Sequence, residues 1–77
     1  MIAAPEQPRH PATTNLLRYF AFDHLPPGPL REASAKCALL AGDMAERLPD
    51  GPELTAGLRK LLEAKDCFVR SSLDVPQ

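Results

Sequence analysis

Tryptophan is absent and β-branched aliphatics nearly so: the chain carries one isoleucine and two valines among 77 residues. Strands draw on such residues in alternation, and no segment here alternates. Alanine and leucine dominate instead, which favours helix. A net charge of −1 removes bulk attraction to DNA or to an anionic membrane surface. Any anion must therefore be held by a local cluster. No apolar run approaches the ~20 residues that span a bilayer. The opening MIAAPEQPRHPA has neither a basic start nor an apolar middle, so it does not read as a secretory signal. The expected compartment is a cytoplasm.

Cysteine and histidine are also sparse. Cys37 and Cys67 are expected as free thiols in a cytosolic protein. Their spacing fits no zinc motif, and His10 and His24 form no partner pattern, so neither a metal nor another cofactor is expected. No nucleophile has a base placed by motif, and no glycine-rich phosphate loop is present. The chain reads as a single domain that is not an enzyme. Below roughly 70–80 residues a lone core supplies only a few kcal/mol. With no disulfide or metal, the expected extra stabiliser is association with copies of itself.

What is present is organised around Gly51–Leu73. At about 100° of rotation per residue, Leu54, Leu58, Leu61, Leu62, Phe68 and Val69 fall on one stripe. Asp50 precedes Glu53 by three residues, the spacing of a capping box, and Pro52 suits a first turn. Lys65 breaks the apolar stripe, and must either reach past it to water or meet an anion. Upstream, Gly28-Pro29 opens a second pattern running to about Leu48, with Leu30, Ala33, Cys37, Leu40, Ala41, Met44, Ala45 and Leu48 on its apolar face. Glu32–Lys36 and Asp43–Arg47 are favourable i,i+4 pairs there, and Leu39 stands on the polar side as a second packing surface. The short turn between the patterns predicts two antiparallel helices.

The N-terminal part is less regular. Residues 1–12 read as a loosely ordered tail rich in proline, and residues 13–75 as the folded hairpin domain. Thr13, Thr14 and Asn15 offer capping side chains for Leu16–Phe22, which forms either a turn or two of helix or an extended aromatic arm. Asp23–Pro29 holds three prolines in four residues and must be a rigid, non-helical connector. The fold class is therefore all-α: an antiparallel hairpin with a short N-terminal aromatic arm.

Several side chains admit two readings. The rings of Tyr19, Phe20 and Phe22 either fill the open end of the hairpin or leave one exposed to stack on a base, a contact contributing ~1–3 kcal/mol. His24 is either a solvent-facing loop residue or a donor to a phosphate or base edge. Lys36 and Arg70 either pair with Glu32 and Asp66 or bind an anion. Gly42 and Gly57 sit inside helices at roughly 1 kcal/mol each against alanine. They are either tolerated surface residues or points of close approach.

In order and spacing, FAFDHLPPG, LPDGPELT and LRKLLEAKDCFVR resemble the hairpin domain of phage proteins that sequester cyclic oligonucleotides. These are the anti-CBASS sponges and the related domain of an anti-Thoeris sponge. The likeness covers roughly residues 16–73 and includes the Lys60-Leu61-Leu62-Glu63-Ala64 run. It implies a helical hairpin assembled into symmetric homo-oligomers, often hexamers. It also implies non-catalytic binding of cyclic dinucleotide and trinucleotide immune messengers in the cytoplasm of an infected bacterial host. By position, Phe22 would be the stacking aromatic where the family often has tyrosine. Lys36 would be the helix-borne lysine on a dinucleotide, and His24 the histidine of the His-Pro element, with Leu25 inserted before Pro26. Arg70 would match the arginine of a second, trinucleotide pocket, whose accompanying threonine is Ala38 here. Tyr19 and Lys65 complete the candidate ligand-binding set. The alternative from a different class is a small protein-interaction module, docking through Leu39 and the aromatic arm.

Overall fold

The computed structural model describes residues 10–76; of the tail expected at residues 1–12, residues 1–9 lie outside the described residues, and His10, Pro11 and Ala12 form the cap and first turn of a helix. The described chain is all-helical, with α1 at Pro11–Arg18, α2 at Pro29–Arg47 and α3 at Pro52–Ser72. Each helix opens on a proline, whose fixed φ suits the first turn and whose missing N–H removes one donor that would lack a partner. Each also has an arginine in its last turn, Arg18, Arg47 or Arg70, opposite the negative end of its dipole.

The hairpin formed by α2 and α3 matches the expected one to within a residue or so at each end. Its antiparallel course follows from what the two helices share: Leu48 at the end of α2 and Leu54 near the start of α3 line one groove, while Leu30 and Ser34 near the start of α2 and Val69 and Arg70 near the end of α3 line another. Gly28 caps α2 with φ 143°, a backbone region that only glycine enters without strain. Gly51 caps α3 in an extended conformation open to any residue.

Helix α1 is the element that local pattern described least well. It starts at Pro11 with His10 as its cap, the His10 Nδ1 accepting from the Ala12 N–H at 3.1 Å. Thr13, Thr14 and Asn15 lie within the helix rather than capping it, and Thr13 is fully buried. The aspartate expected to cap α3 serves α1 instead. Asp50 accepts from the His10 backbone N–H at 2.6 Å and from the Thr13 hydroxyl at 3.2 Å, and makes no side-chain cap to α3. Both donors come from the start of α1, where intrahelical acceptors are missing.

The core joins all three helices. Phe20, Cys37, Ala41, Leu54 and Leu58 are its buried members, flanked by Leu16, Leu17, Met44, Leu61 and Leu62. Of the three clustered aromatics Phe20 alone is buried, which contributes about 1.5–3 kcal/mol. Phe68, placed on the apolar stripe of α3, is 55% exposed. It sits at the stripe's edge, past Leu61 and away from α1. Leu40 and Leu48, placed on the apolar face of α2, are also exposed, as is Leu39 on the other side. A small core thus coexists with several uncovered apolar side chains.

Candidate functional site

Two faces of the hairpin diverge from the core, roughly 130° apart around α3 by helical geometry. One carries Lys65, Asp66, Val69 and Arg70; the other carries Gly57, Leu61 and Phe68. The first face, together with the end of α1, the connector and the first turns of α2, encloses a cleft of about 420 Å³. That volume falls in the range of small-molecule sites.

Tyr19, His24, Lys65 and Arg70 line this cleft, with Arg18, Leu30 and Ser34. Four of the six candidate ligand-binding residues therefore meet in one place. Three cations, Arg18, Lys65 and Arg70, face it against one carboxylate, Asp66. Tyr19, at its edge, is 65% exposed.

Lys65 resolves the anomaly in its stripe. Its ammonium donates to the carbonyl oxygen of Tyr19 at 3.0 Å. Tyr19 is the C-cap of α1, and its carbonyl has no acceptor role inside that helix. One N–H of the ammonium ties α1 to α3, and two remain for a ligand. Arg70 does not pair with Asp66; its Nη2 lies 3.4 Å from Cys67 Sγ. Nor do Glu32 and Lys36 pair. Among the described residues the one ion pair is the exposed Asp43–Arg47 contact at 2.7 Å.

Phe22 and Lys36 lie outside the cleft. Phe22 is half-buried, with the Arg31 guanidinium 5.7 Å from its ring centroid, within cation–π range. Lys36 is exposed on α2, two residues and about 200° beyond Ser34. In the chain itself these two residues do not share the cleft with Arg70.

Two polar cleft residues were not singled out from sequence, Arg18 and Ser34, and Asp66 was named only as an ion-pair partner for Arg70. Ser34 had a signal equivalent to that of Lys65, a polar residue inside an apolar stripe between Leu30 and Cys37. Its hydroxyl oxygen is buried and has no hydrogen-bond partner among the described residues.

The second face bounds an apolar groove of about 470 Å³ between α2 and α3, lined chiefly by Leu40, Met44, Leu48, Leu54, Gly57 and Leu61. A Cβ built on Gly57 or on Gly42 meets nothing within 4 Å, so the chain's own packing demands glycine at neither position.

Among the described residues no group of three His, Cys, Asp or Glu side chains is placed to hold a metal ion, and no helix is long and apolar enough to cross a membrane. No protein-family model matches this chain, and no curated protein or solved structure does either.

Proposed function

We propose that this protein is a non-catalytic sponge for cyclic oligonucleotide second messengers, working as a symmetric homo-oligomer of the hexameric kind. It would lower the free concentration of a defence signal such as that of CBASS in the cytoplasm of an infected bacterial host. The observation that carries this reading is the cleft that gathers Tyr19, His24, Lys65 and Arg70 under an excess of positive charge. The residue-by-residue likeness to the sponge hairpin supports it.

The chemistry is that of a phosphodiester flanked by bases. Rings take the base faces and charge-assisted donors take the phosphates, each such contact contributing about 1.5–3 kcal/mol. A cyclic dinucleotide has approximate two-fold symmetry, so a pocket shared by two equivalent subunits presents one ring and one lysine twice. Phe22 and Lys36, on the surface away from the cleft, suit that shared pocket. Arg70, in the cleft, suits a separate one for cyclic trinucleotides. Two stacks and two phosphate contacts reach nanomolar affinity, about −12 kcal/mol, when the pocket is preformed. The apolar groove beside Leu40 and Leu48 supports association, since exposed apolar surface of this kind marks an interface.

Isothermal titration against a panel of cyclic dinucleotides and trinucleotides tests the proposal. Binding at or below micromolar concentrations, with the ligand recovered intact after heat release, supports a sponge. Failure to bind any panel member more tightly than ~10 μM, about 7 kcal/mol or less, counts against it. Recovery of cleaved product would make the protein an enzyme.

The same groove, with Leu39 70% exposed, favours a second reading as a protein-interaction module. That reading predicts a co-purifying protein and no response of any nucleotide assay to Phe22→Ala.

A further inference from the structure

The apolar groove between α2 and α3 begins at the hairpin turn, where Met44, Leu48, Pro49 and Leu54 line it and Leu48 is 46% exposed. His10 is fastened at the same turn. Its backbone N–H donates to Asp50 at 2.6 Å, and the Thr13 hydroxyl donates to the same carboxylate at 3.2 Å. The residues that precede His10 in sequence therefore leave from beside Asp50, the next residue after Pro49. Pro5-Glu6-Gln7-Pro8-Arg9 holds two prolines, and each also restricts the residue before it, which favours an extended course. At about 3.1 Å per residue these five reach roughly 15 Å. That crosses a hairpin turn whose helices pack about 8–10 Å apart. Ahead of them stands Ile2-Ala3-Ala4, apolar and uncharged, with the chain's single isoleucine. Arg9 carries the charge that complements Asp50 and Glu53 at the turn.

We propose that Ile2, Ala3 and Ala4 dock in the turn end of this groove in their own chain, with the Ile2 side chain against Met44 and Leu48. A tether this short holds the segment at about millimolar effective concentration. It therefore outcompetes a second copy, or an unrelated protein, present at micromolar levels for the same side chains. The docked segment covers the turn end alone. Leu40, Gly57 and Leu61, further along the groove, stay open to a second copy, so the segment sets how much of the groove association can use. This docking is independent of what the cationic cleft on the other face binds.

The single isoleucine makes the test direct, because a labelled isoleucine methyl gives one signal. With the methionine methyls labelled as well, a nuclear Overhauser effect from Ile2 to Met44 reports the contact. The chain is measured fully labelled, then diluted into a roughly tenfold excess of unlabelled, deuterated chain. The contact is expected in both samples. Leu48→Asp is expected to move the Ile2 signal to the position it has in a free peptide of residues 1–9, with the helical circular dichroism unchanged. Leu39→Asp, on the other side of α2, should leave that signal in place. Ile2→Asp precedes all three helices in the chain, so it tests the contact without endangering the fold. It is expected to lower the melting midpoint by roughly 4–8 °C, the shift of a domain this size losing one modest contact. An Ile2 methyl already at the free-peptide position in the unaltered chain, with no effect to Met44, would overturn the proposal. So would an unchanged midpoint in Ile2→Asp. A contact that disappears on dilution with unlabelled chain would give the groove to a neighbouring copy and overturn docking within the chain.

Discussion

Lys65 donates to the carbonyl oxygen of Tyr19 at 3.0 Å, fastening the end of α1 to the middle of α3. The bond holds the exposed Tyr19 ring at the edge of the cationic cleft and turns a charged residue in an apolar stripe into a structural tie. Lys65→Met keeps the aliphatic stem and removes the donor. Urea denaturation should show a loss of about 1 kcal/mol, with faster amide exchange confined to residues near Tyr19 and Phe20. Unchanged exchange there would remove the tie from the account.

The carboxylate of Asp50 plays the matching part at the other end of α1, where it meets His10 and Thr13. Asp50→Ala should cost about 1 kcal/mol, the usual magnitude for a lost cap. The effect should appear as increased exchange in the first turn of α1, with the start of α3 unaffected. Exchange rising in α3 instead would restore the local capping role.

These two contacts show where sequence was sufficient and where it was not. The helical periods of α2 and α3, their proline starts and the turn between them are local properties, and they were legible. The three-residue spacing of Asp50 and Glu53 is also local, and it pointed to the wrong helix, because His10 and Thr13 compete for the carboxylate across 40 and 37 positions. The same limit applies to Phe68. Helical angle placed it on the stripe, but α1 covers the Lys65 side of α3 and leaves the Phe68 side bare. At the site, Tyr19, His24, Lys65 and Arg70 were legible as individual residues. Their convergence, and the orphaned hydroxyl of Ser34, depend on the packing of three helices together.

The apolar groove between α2 and α3 is open in the chain, and its proposed role as an interface is directly testable. Leu40→Glu should reduce the size of the assembly in sedimentation while leaving the helical circular dichroism intact. Gly57→Ala discriminates further. An isolated subunit gains about 1 kcal/mol of helix propensity from it, since nothing opposes the new methyl. An assembly with a partner helix seated on Gly57 loses stability instead. Unaltered assembly in both variants would move the interface to another face.

Separate placement of Lys36 and Arg70 predicts separable losses. Lys36→Glu should abolish cyclic dinucleotide binding with the helical spectrum unchanged, and Arg70→Ala should weaken trinucleotides alone. Titration of both variants with both ligand classes gives four affinities. Equal losses for the two classes in either variant would mean a single site.

Native mass spectrometry of the full-length chain, with and without a cyclic dinucleotide, reads subunit number and ligand number together. The account predicts a closed assembly of equivalent subunits carrying one dinucleotide for each pair. A folded monomer at micromolar concentration that carries no nucleotide would contradict it.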